Sequence, residues 1–309
     1  MKGPKMILTD ALPYNFQKTS PELQYLYDLY RSGGPSTDEY DTLTKVIAVL
    51  VDHCKSGKIP GDSLEQFKRV AGGAWSTTYT MQGFSTVKPN GYAGCFETIE
   101  RIYTRWLSPV PFLRKWDEYF HAQPAAEAVR NRAGVLDAII ASLGDKEKIT
   151  ILNLGCGPGL EFVTALLQHS DKIDTIDFVD TDKAALERSK QNLSVYTDKI
   201  RFIKKNVVRF TSDSNYDLIW SSGLFDYLND ALFVAVLRRL RKMLRKDGRI
   251  VIGNFSTGNP TKAYMDFVDW KLIHRTEDQL ATIARYAKMS DAVISTESTT
   301  VNLFLDIRE

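Results

Sequence analysis

The sequence lacks long apolar runs, paired cysteines and clustered histidines. No apolar run reaches the roughly 20 residues that span a membrane, and Pro4 with early polar residues stands where a signal peptide would be apolar. Cys54, Cys95 and Cys156 form no Cys-x-x-Cys pair and the four histidines are scattered, which indicates a reducing compartment and gives no metal signature. We therefore expect a cytoplasmic protein without membrane contact.

An excess of charge of one sign is also missing. The 40 basic and 38 acidic residues are interspersed and give a net charge of +2, so no basic face indicates a nucleic-acid partner. The 309 residues suffice for one large domain or two small ones.

A glycine-rich turn after a buried strand is the most informative stretch. Ile149–Leu154 is an apolar run that predicts a strand, and the apolar run Phe162–Leu167 predicts the helix that follows. Between them, Gly155, Gly157 and Gly159 leave no Cβ, so backbone N–H groups can approach a ligand closely. Such a turn at the carboxyl end of a parallel strand is where open α/β sheets bind ligands.

Two kinds of ligand compete for this turn, the pyrophosphate of a dinucleotide and something smaller. The dinucleotide fingerprint requires a glycine at its sixth position, where this chain has Leu160. Glu161 follows near the helix N-terminus, where its charge would repel a pyrophosphate but not an ammonium or sulfonium group. About 25 residues further on, a second predicted strand ends in Asp180, a placement that suits the hydroxyls of an adenosine ribose.

The second part of the chain alternates predicted strands with helices, which indicates an α/β domain over residues 123–309. The last two strands are joined by a short polar turn, so they form an antiparallel hairpin. The predicted strands are Ile149–Leu154, Thr175–Val179, Arg201–Lys204, Tyr216–Ser221, Arg249–Phe255, Ala292–Thr296 and Val301–Ile307. The fold class predicted is α/β, with a Rossmann-like seven-stranded sheet.

Residues 1–122 show amphipathic helices instead of strands, and they predict a helical N-terminal substrate domain or lid. Within them Thr80–Cys95 has three glycines, a proline and no helical period. This stretch is either a substrate-lid loop that presents Tyr92 or a structural connector. The aromatic segment Tyr103–Phe120 is either a dimer or partner surface or part of the core.

The motif Leu154-Gly-Cys-Gly-Pro-Gly159, together with Asp180, resembles the first motif of the class I S-adenosylmethionine (SAM)-dependent methyltransferases. Further blocks resemble bacterial methyltransferases related to the synthase of 3-hydroxy fatty acid methyl ester signals. These blocks are Gln82-Gly83 with Lys88–Gly94, Ser222–Leu228, Gly253–Ser256 with Asn259-Pro260, and Asp269–Arg275. The resemblance implies SAM as cofactor and methyl transfer to an oxygen, a carboxylate or hydroxyl, of an acyl-type or other small molecule. Relatives often carry Asp where this chain has Cys95, which leaves the substrate open.

The resemblance also implies a set of cofactor-binding residues. Cys156 is expected to pack under the cofactor and not to act as a nucleophile, and Arg130 or Arg132 on the helix before the first strand is placed to meet the cofactor carboxylate. Asn206 and Val207 are expected at the adenine edge. The full set is Gly155, Cys156, Gly157, Gly159, Glu161, Asp180, Thr181, Asn206, Val207, Ser221 and Arg130.

Five residues are candidates for orienting the methyl acceptor or for catalysis. Arg275 suits a carboxylate because its planar fork can bind both oxygens, and His274 suits a base near neutral pH. The alternative is that His274 and Arg275 cap the C-terminus of a helix. The candidates are Tyr92, Tyr227, Asn254, His274 and Arg275.

Other outcomes stay open on the sequence alone. The chain could methylate nitrogen of an amino-acid-like metabolite, or use SAM in a cyclisation that releases methylthioadenosine. It could also be a silent SAM-binding module, and it could form a homodimer.

Overall fold

The computed structural model describes residues 20–70, 73–144, 146, 148–289 and 291–308. Residues 1–19, the first part of the predicted lid, lie outside the described residues. The helices are α1 (Pro21–Arg31), α2 (Tyr40–Lys55), α3 (Gly61–Val70), α4 (Met81–Val87), α5 (Phe96–Tyr103), α6 (Arg114–His121), α7 (Pro124–Ala141), α8 (Phe162–His169), α9 (Lys183–Asn192), α10 (Asp230–Arg241), α11 (Lys262–Phe267) and α12 (Glu277–Tyr286). The strands are β1 (Ile149–Leu154), β2 (Ile173–Asp180), β3 (Ile200–Lys204), β4 (Tyr216–Ser221), β5 (Leu244–Phe255), β6 (Ala292–Thr296) and β7 (Asn302–Arg308).

The chain divides into two compact units. The helical unit runs to Ala126 and also takes in Pro260–Lys271, and the sheet unit comprises the remainder. The sequence predicted one continuous second domain from residue 123, so residues 260–271 are a correction. They join the helical unit because the Phe267 ring packs edge-on against Trp75, with 6.0 Å between ring centroids, and because Asp266 pairs with Lys55 at 2.7 Å.

The helical unit forms around caps and an aromatic core. Ser20 accepts a hydrogen bond from the Leu23 N–H at 3.4 Å and Pro21 occupies the first turn of α1, both of which favour a helix start. In the core, the Trp75 and Trp116 rings meet at 4.7 Å. Trp116 and Tyr119 are fully buried, so the aromatic segment 103–120 contributes residues to the core.

The stretch predicted as a loop, Thr80–Cys95, contains helix α4, and this is a second correction. Thr80 caps the helix by accepting a hydrogen bond from the Gly83 N–H at 3.0 Å. A Cβ on Gly83 would lie 2.2 Å from the Thr77 carbonyl oxygen, so glycine is required by space. Helix α4 escaped the pattern because it buries polar residues such as Gln82, which removes the apolar period.

The sheet unit contains a mixed seven-stranded sheet in the order β3-β2-β1-β4-β5-β7-β6. Strands β1 to β5 are parallel, and β7 lies antiparallel between β5 and β6. Strands β1 and β4 are buried at every position, as mainly apolar strands covered on both faces should be. The predicted fold class and the C-terminal hairpin are confirmed.

Strand β5 begins five residues earlier than predicted, at Leu244, where the register with β4 shifts between Tyr216 and Leu218. None of the described helices has the length and apolar character needed to cross a membrane.

Candidate cofactor and substrate site

The glycine turn after β1 has a left-handed backbone at each of its glycines. Gly155, Gly157 and Gly159 have φ of 67°, 51° and 72°, values that favour glycine. A Cβ on Gly155 would lie 3.1 Å from the Leu224 Cβ, and one on Gly159 would lie 2.9 Å from Phe178 and from the Ser189 hydroxyl. A Cβ on Gly157 would meet nothing within 4 Å. The middle of the turn therefore leaves space over its backbone.

Asp180 at the end of β2 fastens this turn. Its Oδ2 accepts a hydrogen bond from the Gly157 N–H at 3.1 Å, and its Oδ1 accepts one from the Asp182 N–H at 2.9 Å. Burial raises the pKa of Asp180, and the backbone N–H groups oppose that rise. The Cys156 thiol also lies 4.0 Å from Oδ2. Oδ1 keeps a second lone pair, which suits a ribose hydroxyl.

Glu161 links the glycine turn to the end of β4. It is buried, and it accepts hydrogen bonds from the Trp220 indole N–H at 3.1 Å and from the Ser222 hydroxyl at 2.7 Å. Burial raises its pKa, while the Ser222 bond and the charge of Arg132 act in the opposite direction. A carboxylate in this position disfavours an anionic ligand at the turn.

Arg132, and not Arg130, is the arginine of α7 that faces this region. The Arg132 Nε and Nη2 donate to the Asn302 Oδ1 at 3.1 and 2.8 Å, and its Nη1 would lie 2.8 Å from a Cβ on Gly223. Arg130 pairs with Glu127 and borders a separate cavity of about 580 Å³ beside β5, β6 and β7. Two positions on a helix differ by roughly 200°, so both arginines cannot face one site.

A signal for Arg132 was present in the sequence. Val129, Leu136 and Ile140 are fully buried and form the apolar stripe of α7. Arg132 is at helical spacing from them and so interrupts that stripe. A charged residue within a buried stripe indicates a specific partner more strongly than a charged residue on an exposed face.

Asn153 on β1 was missed by the sequence analysis. It is fully buried, and neither its Oδ1 nor its Nδ2 has a hydrogen-bond partner among the described residues. Its register neighbours are Phe178 on β2 and Trp220 on β4. A buried amide without partners calls for a bound ligand or water. The signal was an amide side chain in a mainly apolar strand, two positions before Gly155.

Asp226, in the turn after β4, was also missed as a site residue. Its Oδ1 accepts a hydrogen bond from the Phe255 N–H at 2.6 Å, while its Oδ2 has no partner within the described part of the chain. Burial raises the pKa of Asp226 to about 6, although Arg132, the Phe255 N–H and Arg275 all oppose the rise. Asp226 is therefore a buried carboxyl group whose position is fixed by the Phe255 N–H.

Arg275 does not have a donor left for a substrate carboxylate. A guanidinium has five N–H groups, and here they serve groups of the sheet unit itself. Nε and Nη2 donate to the Asp230 Oδ1 at 2.9 and 2.8 Å, Nη1 donates to the Phe225 carbonyl at 3.2 Å and the Asn254 Oδ1 at 2.6 Å, and Nη2 also donates to the Leu228 carbonyl. The predicted role as a substrate clamp is therefore wrong for this structure.

Asn254 is committed in the same way. Its amide donates to the Phe255 and Ile273 carbonyls at 2.9 and 3.0 Å, and its Oδ1 accepts from Arg275. Asn254 and Arg275 thus brace the segment after β4 against the segment before α12. The predicted alternative, a cap at a helix C-terminus, is also wrong, because Thr276 is the N-cap of α12.

His274 is only half-buried, but both ring nitrogens have partners. Nδ1 lies 3.2 Å from the Leu272 carbonyl oxygen, and Nε2 lies 3.1 Å from the Asn259 Nδ2. A proton on Nδ1 satisfies both contacts, which leaves Nε2 accepting from the Asn259 amide. Its lone pair is therefore engaged in this arrangement.

The two tyrosines remain candidates by exposure. Tyr227 is 42% exposed on the single turn Phe225–Tyr227 after β4, and Tyr92 is 38% exposed in the helical unit. Tyr227 is the predicted acceptor residue that lies in the sheet unit and still presents its side chain to solvent.

The other predicted cofactor residues lie at the carboxyl ends of the strands. The Asn206 Oδ1 accepts from the Val208 N–H at 2.9 Å and caps the turn that begins at Val207. The Ser221 hydroxyl donates to the Leu154 carbonyl at 2.7 Å, and this bond ties β4 to β1. Thr181 follows Asp180 directly.

Cys156 is buried, and burial raises the pKa of its thiol. It packs 3.9 Å from the Ser189 hydroxyl. A buried thiol with a raised pKa is a poor nucleophile. That Cys156 packs under the cofactor stays a prediction.

The sheet order, the glycine turn, the acidic end of β2 and the antiparallel β7 together define a class I SAM-dependent methyltransferase. Residues 133–301 match the profile of a family described as AdoMet dependent proline di-methyltransferase. Because this match covers more than half of the 309 residues, the chain belongs to that family.

Two proteins illustrate what the chain is similar to. A malonyl-[acyl-carrier protein] O-methyltransferase of Ilyobacter polytropus is 30% identical over 118 residues, which are 38% of this chain and 41% of that protein. A protein of Bordetella parapertussis described as a possible exported protein has a TM-score of 0.60 at 14% identity, over 97% of this chain and 99% of its own.

Magnesium protoporphyrin IX methyltransferase of Synechocystis PCC 6803, solved with bound S-adenosylhomocysteine, has a TM-score of 0.51 at 12% identity, over 74% of this chain and 97% of its own. At such identities the solved structures show the fold alone. The chain spans less than half the length of the curated relative from Ilyobacter.

Proposed function

We propose that this methyltransferase acts on an oxygen of a small molecule, most specifically the carboxylate of an acyl-type substrate. The observation that carries the proposal is the state of His274, the predicted base, whose Nε2 already accepts a hydrogen bond from Asn259. A carboxylate is ionised near neutral pH and needs no base, whereas a hydroxyl or an ammonium must first lose a proton. The relative named as a malonyl-[acyl-carrier protein] O-methyltransferase supports the same choice.

A second candidate is methylation of nitrogen, which the description of the family as proline di-methyltransferases favours. An amine acceptor would require a group to take its proton. A base role for His274 would then require Asn259 to turn away from Nε2. The two candidates therefore differ in whether His274 is needed.

The residues of the sheet unit fit the methionine and adenosine parts of SAM. The orphaned Asn153 amide and the open backbone at Gly157 are what a bound ligand would occupy and cover. We assign the ribose hydroxyls to Asp180, the cofactor carboxylate to the Arg132 Nη1, and the adenine edge to Asn206 and Val207. When bound, SAM supplies a methyl group already activated by its sulfonium.

The protein's own contribution is alignment of the acceptor. Holding two reactants in line can supply much of the catalysis. Arg275 and Asn254 fix the turn that carries Tyr227, so its hydroxyl is presented from a rigid base. We assign Tyr227 to the acceptor. That Tyr92 and the helical unit bind substrate stays a prediction from the sequence. We place the enzyme in the cytoplasm, as its sequence predicts.

Product analysis tests the proposal. The protein is incubated with SAM and two matched panels, short-chain 3-hydroxy acids with malonyl thioesters in one and N-terminal proline peptides with amino acids in the other. S-adenosylhomocysteine together with a methyl ester of an acid supports the proposal. Methylated amines favour the second candidate, and methylthioadenosine would show a cyclisation instead.

A His274→Gln variant separates the two candidates further. Gln keeps a side-chain acceptor for Asn259 but cannot act as a base near neutral pH. Esterification should keep most of its kcat, whereas N-methylation that depends on His274 should fall by roughly 10²-fold or more. The same loss in ester formation would refute the assignment of a carboxylate acceptor that needs no base.

A further inference from the structure

A second buried carboxylate stands at the same edge of the sheet unit as Glu161. Asp226 is fixed at two points, because its Oδ1 accepts from the Phe255 N–H at 2.6 Å and its main-chain carbonyl accepts from the Ile273 N–H at 2.8 Å. Both oxygens are enclosed by protein, and Oδ2 has no partner among the described residues. The carboxylate cannot turn to follow a ligand, so its charge acts from a fixed position.

The positive charge near Asp226 comes from two guanidiniums that do not bond to it. Arg275 acts on it only through space, because its N–H groups are used by Asp230 and other acceptors. Arg132 also acts through space, and it serves Glu161 at the same time. When Glu161 and Asp226 are both ionised, Arg132 interacts with two anions. Its bonds to Asn302 use only some of its N–H groups.

This region adjoins the glycine turn directly. Leu224, two residues before Asp226, would contact a Cβ on Gly155 at 3.1 Å, and Gly223 lies against the Arg132 guanidinium. The charge of Arg275 is balanced by its ion pair with Asp230, so two carboxylates, Glu161 and Asp226, face the single positive charge of Arg132. A methionine end held by Arg132 therefore enters a region of net negative charge. A buried charge is screened much less than an exposed one, so contact is not required for it to act.

We propose that the Asp226 carboxylate discriminates between the cofactor and its product by charge, favouring cationic SAM over the uncharged thioether of S-adenosylhomocysteine. The inference rests on the cofactor site proposed above. Both molecules carry the same adenosine, carboxylate and ammonium, so contacts with those groups bind them equally. On methyl transfer the S–C bond breaks with its electron pair left on sulfur, a new bond forms from the acceptor to the methyl carbon, and the sulfonium charge disappears.

The consequence is weaker binding of the product than of the cofactor. Without this discrimination, S-adenosylhomocysteine would bind about as well as SAM and would inhibit the enzyme, since the two molecules are otherwise alike. Asp226 thus acts as a specificity-determining residue that need not touch either ligand.

The test compares two unreactive ligands by calorimetry, sinefungin, which has an ammonium in place of the sulfonium, and S-adenosylhomocysteine. The proteins are the wild type, Asp226→Asn and, as control, the exposed Asp213→Asn. Above the pKa of Asp226, the preference of the wild type for sinefungin should fall roughly fivefold in Asp226→Asn, the order of one charge–charge interaction at a protein site. The control should keep the wild-type preference.

Acidifying the wild type gives a second, mutation-free measurement. Once Asp226 is protonated, the ratio of the two affinities should approach that of Asp226→Asn, whose own ratio should change less with pH. An unchanged ratio in Asp226→Asn, with both ligands still bound, overturns this inference alone. Failure of the wild type to bind either ligand overturns the proposed cofactor site instead.

Discussion

Replacing Asp226 with Asn is expected to stabilise the protein at neutral pH. Burial raises the pKa of this carboxyl from 3.8 to about 6. A difference of about two pKa units corresponds to about 3 kcal/mol of free energy of unfolding. Asn keeps an oxygen for the Phe255 N–H, and it replaces the unpartnered oxygen with an equally unpartnered amide group, so we expect a net gain of about 1 to 3 kcal/mol.

The sign of the pH dependence follows from the raised pKa. Below the unfolded pKa the carboxyl is protonated in both states and costs nothing. As the pH rises toward the folded pKa, the unfolded state ionises first, so the wild type loses stability over this window. Above the folded pKa of about 6 the full cost remains. Asp226→Asn removes this titration, and its advantage should therefore appear only as the pH rises.

Urea unfolding across this pH range measures the difference, with the exposed Asp213→Asn as the control. A variant that is less stable than the wild type above the folded pKa would refute the reasoning. So would a stability gain that is the same at both ends of the range, because a packing effect of the substitution would not depend on pH.

Three further changes test the site and the fold. Gly159→Ala should cost roughly 2 kcal/mol in urea unfolding and weaken S-adenosylhomocysteine binding, because it adds a Cβ 2.9 Å from Phe178 at a φ of 72°; wild-type stability would contradict the packing argument. Arg132→Met should weaken S-adenosylhomocysteine binding roughly tenfold by calorimetry, while Arg130→Met should not. Equal losses in the two variants would contradict the assignment of the cofactor carboxylate to Arg132. Thr80→Ala should lower stability by about 1 kcal/mol through the lost cap of α4, whereas no change would show that the cap is dispensable.

Most of the sheet unit was predictable because its elements have strong local patterns. Strand β4 is buried at every position, and its run of apolar residues predicted the observed bounds, Tyr216–Ser221. The turn between β6 and β7 is polar and short, which predicted the hairpin. The glycine turn was predictable because its three positive φ values admit few other residues.

Two parts of the fold depended on long-range partners and could not be predicted. Helix α4 is held by Asp117, whose carboxylate accepts from the Met81 N–H at 2.7 Å, and by Gln82, whose amide donates to the Trp116 carbonyl. Neither contact leaves a local signal, since the partners are more than 30 residues apart. Residues 260–271 changed unit for the same reason.

In the candidate site, too, residues with local partners were predictable and residues with distant partners were not. Side chains that bind their own turn, such as Asp180, were predictable because their partners lie close to the strand ends. Arg275 was assigned to a substrate because a guanidinium fork suits a carboxylate, yet in the fold its carboxylate is Asp230. The sequence gives no measure of how many donors a buried arginine has already used.

The hydrogen-bonding groups of Arg275 and Asn254 are used within the sheet unit, so acceptor specificity is expected to come from other residues. Both residues belong to the blocks that carry the resemblance to known methyltransferases, but they brace the backbone after β4 and before α12. These hydrogen bonds are compatible with many acceptors, because they fix the position of the turn after β4 and not the side chains that the turn exposes. On the function proposed above, specificity falls to exposed side chains on that turn, such as Tyr227. Exchanging Tyr227 should change which acceptor is methylated, whereas exchanging Arg275 should unfold the turn for every acceptor alike.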